Sequence, residues 1–138
     1  MAFDSYALPA RPFANRRAAH VNATTADTDW PLVETDPRYF PASRNGAEPD
    51  FVIGGRVAGA DADSVTLVAY VVDEKMRRGS EVMAYCEVYR SVLTIDAGKD
   101  SASFSDSFSA NGQDVFLILE SISAGATFNS TGMYGPAR

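Results

Sequence analysis

The chain has 138 residues, a formal charge of −6, one cysteine and one histidine. This length suits one domain whose core needs no staples, and a lone cysteine excludes an intramolecular disulfide. The acid excess argues against a general nucleic-acid or anionic-membrane binder, no apolar run reaches the ~18 residues of a spanning helix, and no charged-then-apolar leader is visible.

Residues 1–49 hold Pro9, Pro12, Pro31, Pro37, Pro41 and Pro49, six of the seven prolines. Proline removes a backbone donor and disfavours helix in the residue before it. No period of 3.6 or 2 is sustained there. Yet Phe3, Tyr6, Leu8, Phe13, Trp30, Leu32, Val33, Tyr39 and Phe40 make the segment too apolar for an ordinary disordered tail. The reading is an extended arm over 1–49 that lies on a neighbouring subunit or on its own domain. Its candidate partner-binding residues are Phe3, Tyr6, Phe13, Arg16, Arg17, Trp30, Tyr39 and Phe40.

From Asp50 the pattern changes to short strands. Phe51-Val52-Ile53 leads through Gly54-Gly55 to Val57. Ser64 to Val72 is apolar on both faces, as a central strand covered on both sides would be. Asp73 to Gly79 reads as a charged turn. Glu81 to Tyr89 alternates, with Val82, Ala84, Cys86 and Val88 inward and Met83, Tyr85, Glu87 and Tyr89 outward. This predicts a buried Cys86. Val92 to Ile95 is a short strand, closed by a turn through Gly98.

Ala102, Phe104, Asp106 and Phe108 then alternate with Ser103, Ser105, Ser107 and Ser109, a half-buried strand. Asn111-Gly112 tolerates φ > 0, and an apolar run from Val115 to Ile122 follows, so the spacing predicts a hairpin tipped by Asn111-Gly112. A last strand falls near Ala126 to Ser130. About seven short strands with turns every ~8–12 residues predict an all-β sandwich over 50–138, with little or no helix.

No constellation carries a chemistry, and no catalytic, cofactor or metal residue is assigned. A serine triad needs a base, and His20 is the one histidine. Zinc needs more Cys and His than the chain has. Asp61-Ala-Asp63, with Asp96, Asp100 and Asp106, could approach calcium, but the full loop spacing is absent, and aspartates serve turns by accepting backbone hydrogen bonds. Asp73-Glu74 are adjacent and so diverge on an extended chain. Asn22-Ala-Thr24 and Asn129-Ser-Thr131 match the glycosylation acceptor pattern, which arises often by chance. Arg11, Arg16 and Arg17 make the first twenty residues mildly basic, a patch for an acidic partner or a solvated stretch.

The segment from Ser64 to Thr131 resembles bacterial immunoglobulin-like domains of the invasin/intimin type. The carrying residues are Val65-Thr-Leu-Val-Ala-Tyr-Val-Val-Asp73, Gly79 before Val82, Phe104, Ala110-Asn-Gly-Gln113, Val115, Leu117, Ser121, and Ala124-Gly125 before Phe128. The resemblance covers about half the chain and implies an immunoglobulin-like sandwich. The Glu74-Lys-Met-Arg-Arg-Gly79 turn and the Pro-rich arm depart from that family. In architecture, a sandwich led by a long arm is similar to decoration or cement proteins of tailed-phage heads. That resemblance implies a non-enzymatic bacteriophage capsid protein, located in the virion and bound to a capsid or other virion protein, as a homo-oligomer or on a lattice. No cofactor, nucleic acid or membrane is expected. The rival expectation is a bacterial surface or secreted module for adhesion or carbohydrate binding.

Overall fold

The computed structural model describes residues 19–31, 36–40, 50–72, 77–78, 81–82, 84–110 and 113–134. Among them there is no helix. The strands are β1 (Ala19–Ala23), β2 (Tyr39–Phe40), β3 (Asp50–Ala58), β4 (Ser64–Val72), β5 (Arg77–Arg78), β6 (Glu81–Val82), β7 (Tyr85–Thr94), β8 (Ser101–Ser109), β9 (Val115–Ile122) and β10 (Thr127–Tyr134).

Antiparallel pairing is nested: β1 with β10, β2 with β9, β3 with β8, β4 with β7 and β5 with β6. The chain is thus one long two-stranded ribbon with β5 and β6 at its tip. Two further pairings, β10 with β3 and β9 with β4, zip the rolled ribbon into two four-stranded sheets, β1-β10-β3-β8 and β2-β9-β4-β7. This is the strand order of a jelly roll.

The all-β sandwich read from the sequence is what the chain forms. The strand order differs from that of an immunoglobulin sandwich, where the first strand lies beside the second. Here the first lies beside the last. The hairpin expected at Asn111-Gly112 is corrected too. β8 belongs to one sheet and β9 to the other, so the two are not the paired arms of a hairpin. The two central residues lie outside the described ones, but a Gln113 N–H bond to the Ala110 carbonyl (3.0 Å) closes the turn. Turn-forming residues between two strands carry no mark of whether those strands pair, so local chemistry could not decide it.

The sequence reading drew the arm–sandwich line at Asp50. Two described pieces of residues 1–49 lie on the sandwich side of it. β1 forms the edge of one sheet, and β2 pairs Tyr39 with Phe116 and Phe40 with Val115.

The core lies between the sheets. β3 turns Phe51, Ile53 and Val57 inward, and β10 turns Phe128, Gly132 and Tyr134 inward. β4 gives Val65, Leu67, Ala69 and Val71, and β9 gives Val115, Leu117 and Leu119. Phe51 meets the rings of Phe40, Phe108 and Tyr134 with centroids 5.3–5.4 Å apart. Such edge-on and tilted contacts suit the ring quadrupoles. At the β7–β8 side, Tyr89 stacks on Phe108 (4.9 Å, 14°) and closes the gap between the two edge strands.

Candidate functional site

The other face of the β2-β9-β4-β7 sheet, turned away from the core, gathers the unusual chemistry. One row of register partners crosses all four strands: Tyr39, Phe116, Tyr70 and Glu87. Val68 and Ile118 form the next row with Arg90. β4 and β9 are apolar on this side as well, which is why Val68, Ile118, Phe116 and Val72 are buried although they face away from the core.

Described residues of the chain between β1 and β2 lie against this face at Phe116, Tyr70 and Tyr85. Asp27 exchanges backbone hydrogen bonds with Leu119 (2.9 and 3.0 Å), extending the β9 edge beyond β2. Trp30 then lies over the sheet. It stacks on Tyr85 (4.3 Å, 20°) and meets Tyr70 and Phe116 edge-on at 5.0 and 6.1 Å. Tyr39 stacks on Phe116 at 5.1 Å, and its hydroxyl donates to Asp114 Oδ2 (2.6 Å). The result is a shelf of five aromatic rings. Trp30 is still 36% exposed on it.

The shelf is pinned by Arg38. Its side chain is buried, and its guanidinium meets Asp36 Oδ2 (3.2 Å) and Asp27 Oδ1 (3.3 Å). Weaker contacts reach the carbonyls of Asp27 (3.4 Å) and Leu117 (3.5 Å). One cation thereby ties both ends of the covering segment to the β9 edge.

Beside the rings, Arg90 bridges Glu87 (2.8 Å) on its own strand and Glu120 (2.5 Å) on β9, reaching over β4 above Val68. Hydrogen bonding to Arg90 holds the Glu87 carboxyl below its ordinary range. Glu87 and then Glu120 push the guanidinium's own pKa up. Their surface position leaves this network with little weight in stability. It supplies exposed planar hydrogen-bonding groups beside an aromatic surface.

The sequence-predicted partner residues separate. Trp30 and Tyr39 lie on the shelf. Phe40 is 3% exposed and packs in the chain's own core. Phe3, Tyr6, Phe13, Arg16 and Arg17 lie outside the described residues. The sequence reading missed Tyr70 and Phe116, which sit in runs so apolar that they read as core.

The even–odd assignment for 82–89 holds for Tyr85 and Glu87 and fails for Tyr89. A bulge at Val88 shifts the register between Ala69 and Tyr70, which turns Tyr89 inward opposite Ala69. Burial, aided by Asp106, pushes the Tyr89 phenol up. Cys86 is a second correction. It stands opposite Val71, on the inward register, but near the start of an edge strand, and it is exposed. Edge position outweighed alternation there.

The loop aspartates serve turns. Asp63 Oδ2 accepts from Ala60 N–H (2.9 Å), and Asp61 Oδ2 accepts from Gly98 N–H (3.3 Å). Asp73 and Glu74 lie outside the described residues. Asn22 and Asn129, from the two acceptor patterns, are direct register partners on the exposed face of the other sheet. His20 is exposed on that same face.

No protein-family model matches the chain, and no curated protein matches it in sequence.

Proposed function

We propose that this protein is a non-enzymatic structural component of a virion, a capsid decoration or cement protein attached through its N-terminal region. The observation that carries the reading is the rolled-ribbon strand order, an architecture that viral capsid domains use repeatedly. Fold alone does not specify function, and a second feature points the same way. The residues ahead of β1 combine Phe3, Tyr6 and Phe13 with Arg11, Arg16 and Arg17, the residue types that dominate protein interfaces. The test is co-expression with the shell-forming proteins encoded beside its gene. The protein should co-sediment with assembled shells at a fixed stoichiometry. Its absence from shells that assemble normally would overturn the reading.

A second reading, a surface or secreted carbohydrate-binding module, is favoured by one observation. Trp30 keeps part of its ring open beside the exposed carboxylates of Glu87 and Glu120. An aromatic face flanked by planar hydrogen-bonding groups suits a pyranose ring. Saturable binding to an immobilised neutral glycan, lost in Trp30→Ala, would favour this reading over the first.

A further inference from the structure

We infer that the open edge of β8 is a self-complementary interface for a second copy of this chain, held shut by the charge of Asp106. The inference goes beyond the assembly reading above and does not depend on it.

Three of the four edge strands are guarded by their own structure. β1 is five residues long, β2 is two, and β7 carries the Val88 bulge. Short or irregular edges resist pairing with other chains. β8 has neither protection. It runs for nine residues, pairs with β3 in unbroken register, and holds no proline, lysine or arginine. Its one charged residue is Asp106.

The phase of the ladder shows which groups the edge offers. A Gly59 N–H bond to the Asp100 carbonyl (2.9 Å) continues the β3–β8 pairing. Bonded and unbonded pairs alternate in an antiparallel ladder. Even-numbered residues of β8 therefore bond to β3, and odd-numbered ones turn their N–H and C=O groups to the open edge. Ser103, Ser105 and Ser107 are odd-numbered and exposed. The Ser107 N–H agrees with this phase, because it donates to Asp106 Oδ1 (2.9 Å).

The sequence names the partner. Ala102-Ser-Phe-Ser-Asp106-Ser-Phe-Ser-Ala110 reads the same in both directions. An antiparallel copy centred on Asp106 therefore sets like against like. Odd residues meet odd residues, so the Ser105 N–H faces the Ser107 carbonyl of the second copy, and the Ser107 N–H faces the Ser105 carbonyl. Phe104 falls beside Phe108 of the second copy in the core-facing row, where each is only half-buried. The contact is isologous and closes at two chains.

Its centre is where it fails. Asp106 stands opposite Ile53, so it puts a charge in the core-facing row of an edge strand. In the paired edge two Asp106 side chains would lie directly opposite, in the unbonded kind of pair, where side chains are closest. Like charges there repel. The same carboxylate also holds the Ser107 N–H that the second copy's carbonyl would need.

The test is sedimentation velocity of the full chain across a concentration series at neutral pH, each variant first shown to melt cooperatively. Asp106→Asn should dimerise, with an association about tenfold or more tighter than that of the natural sequence, as removal of a like-charge juxtaposition allows. Asp106→Lys alone should remain a monomer. Mixed in equal amounts with the natural chain it should form a heterodimer, because lysine then faces aspartate in the two-fold register. Ser105→Pro, added to Asp106→Asn, removes an N–H that faces the open edge and spares the bonds to β3, so it should abolish the dimer. Should that variant fail to fold, the mixing result decides. Equal mass for the natural chain and Asp106→Asn at every concentration overturns the proposal. So does a mixture without heterodimer, an association that survives Ser105→Pro, or growth beyond two copies.

Discussion

A methyl group added at Gly132 would sit 2.5 Å from Cε1 and 3.0 Å from Cζ of Phe51. That ring is fully buried among Phe40, Phe108 and Tyr134, so it has no space to yield. Gly132→Ala should therefore destabilise the fold by about 1–3 kcal/mol, as overpacking does, read as a lower urea midpoint at unchanged slope. Nothing local in Ser130-Thr131-Gly132 announces this requirement, because the ring that imposes it lies on another strand. Tyr134, at the strand's end, donates its hydroxyl to the Gln113 carbonyl. Burial first, and then Asp114, push its phenol above the ordinary value of 10.0. A raised folded pKa means the folded state holds the proton more tightly than the unfolded state. The associated stability is present below about pH 10 and is lost as pH rises toward the folded value. Alkaline unfolding should thus begin above about pH 10, and Tyr134→Phe should weaken that dependence, the remainder belonging to the Tyr89 phenol, which burial also pushes up. An unchanged alkaline profile in the variant would show that another group controls it.

At the scale of elements, Arg38 joins pieces that the sequence leaves apart. β2 is two residues long and would not hold itself on β9 by its ladder alone. The guanidinium clasping Asp27 and Asp36 adds the missing attachment. Arg38→Ala would leave those carboxylates without their cation and the Leu117 carbonyl without its side-chain donor. The expected loss is about 1–2 kcal/mol, below the range for a fully buried pair because both carboxylates keep access to solvent. Trp30 emission should move to longer wavelength as the covering segment loosens. A variant of unchanged stability and emission would place the attachment in the ring contacts instead. Several strands were legible, although the sequence reading broke β7 into two and found neither β1 nor β2. The serine–phenylalanine alternation of β8, the two-faced apolar run of β4 and the turn at Gly98 all read correctly, because each depends on residues within one element. The Val88 bulge was not legible. A period of two carries no mark of where an extra residue enters, and the register shift exists only against β4.

At the scale of the molecule, the nested ribbon pairs the start of the described chain with its end, β1 with β10, more than a hundred residues apart. Loop closure of that span is unrewarded until late, which places folding in the slow, millisecond-to-second range of β-rich topologies. It also changes what truncation does. A chain beginning near Asp50 contains every strand that the sequence reading assigned to the sandwich. Yet it lacks β1, β2, Trp30 and Arg38, so the edges of β9 and β10 lose their partners and Phe116 loses the rings of Trp30 and Tyr39. Such a truncation should aggregate or remain unfolded. A soluble monomer with a cooperative melt would show that residues 50–138 suffice. The sequence by itself determined the all-β class, the position of most strands and, away from bulges, which face of each is apolar. Those properties follow from side chains alternating along one strand at a time. Only the tertiary structure decided which strand pairs with which, that β8 and β9 lie in different sheets, and that β1 and β2 form edges of the two sheets. Backbone hydrogen bonds are chemically identical in every strand. The choice of partner is therefore made by how well the whole ribbon rolls up around Phe51, Phe128 and Tyr134, which no single segment encodes.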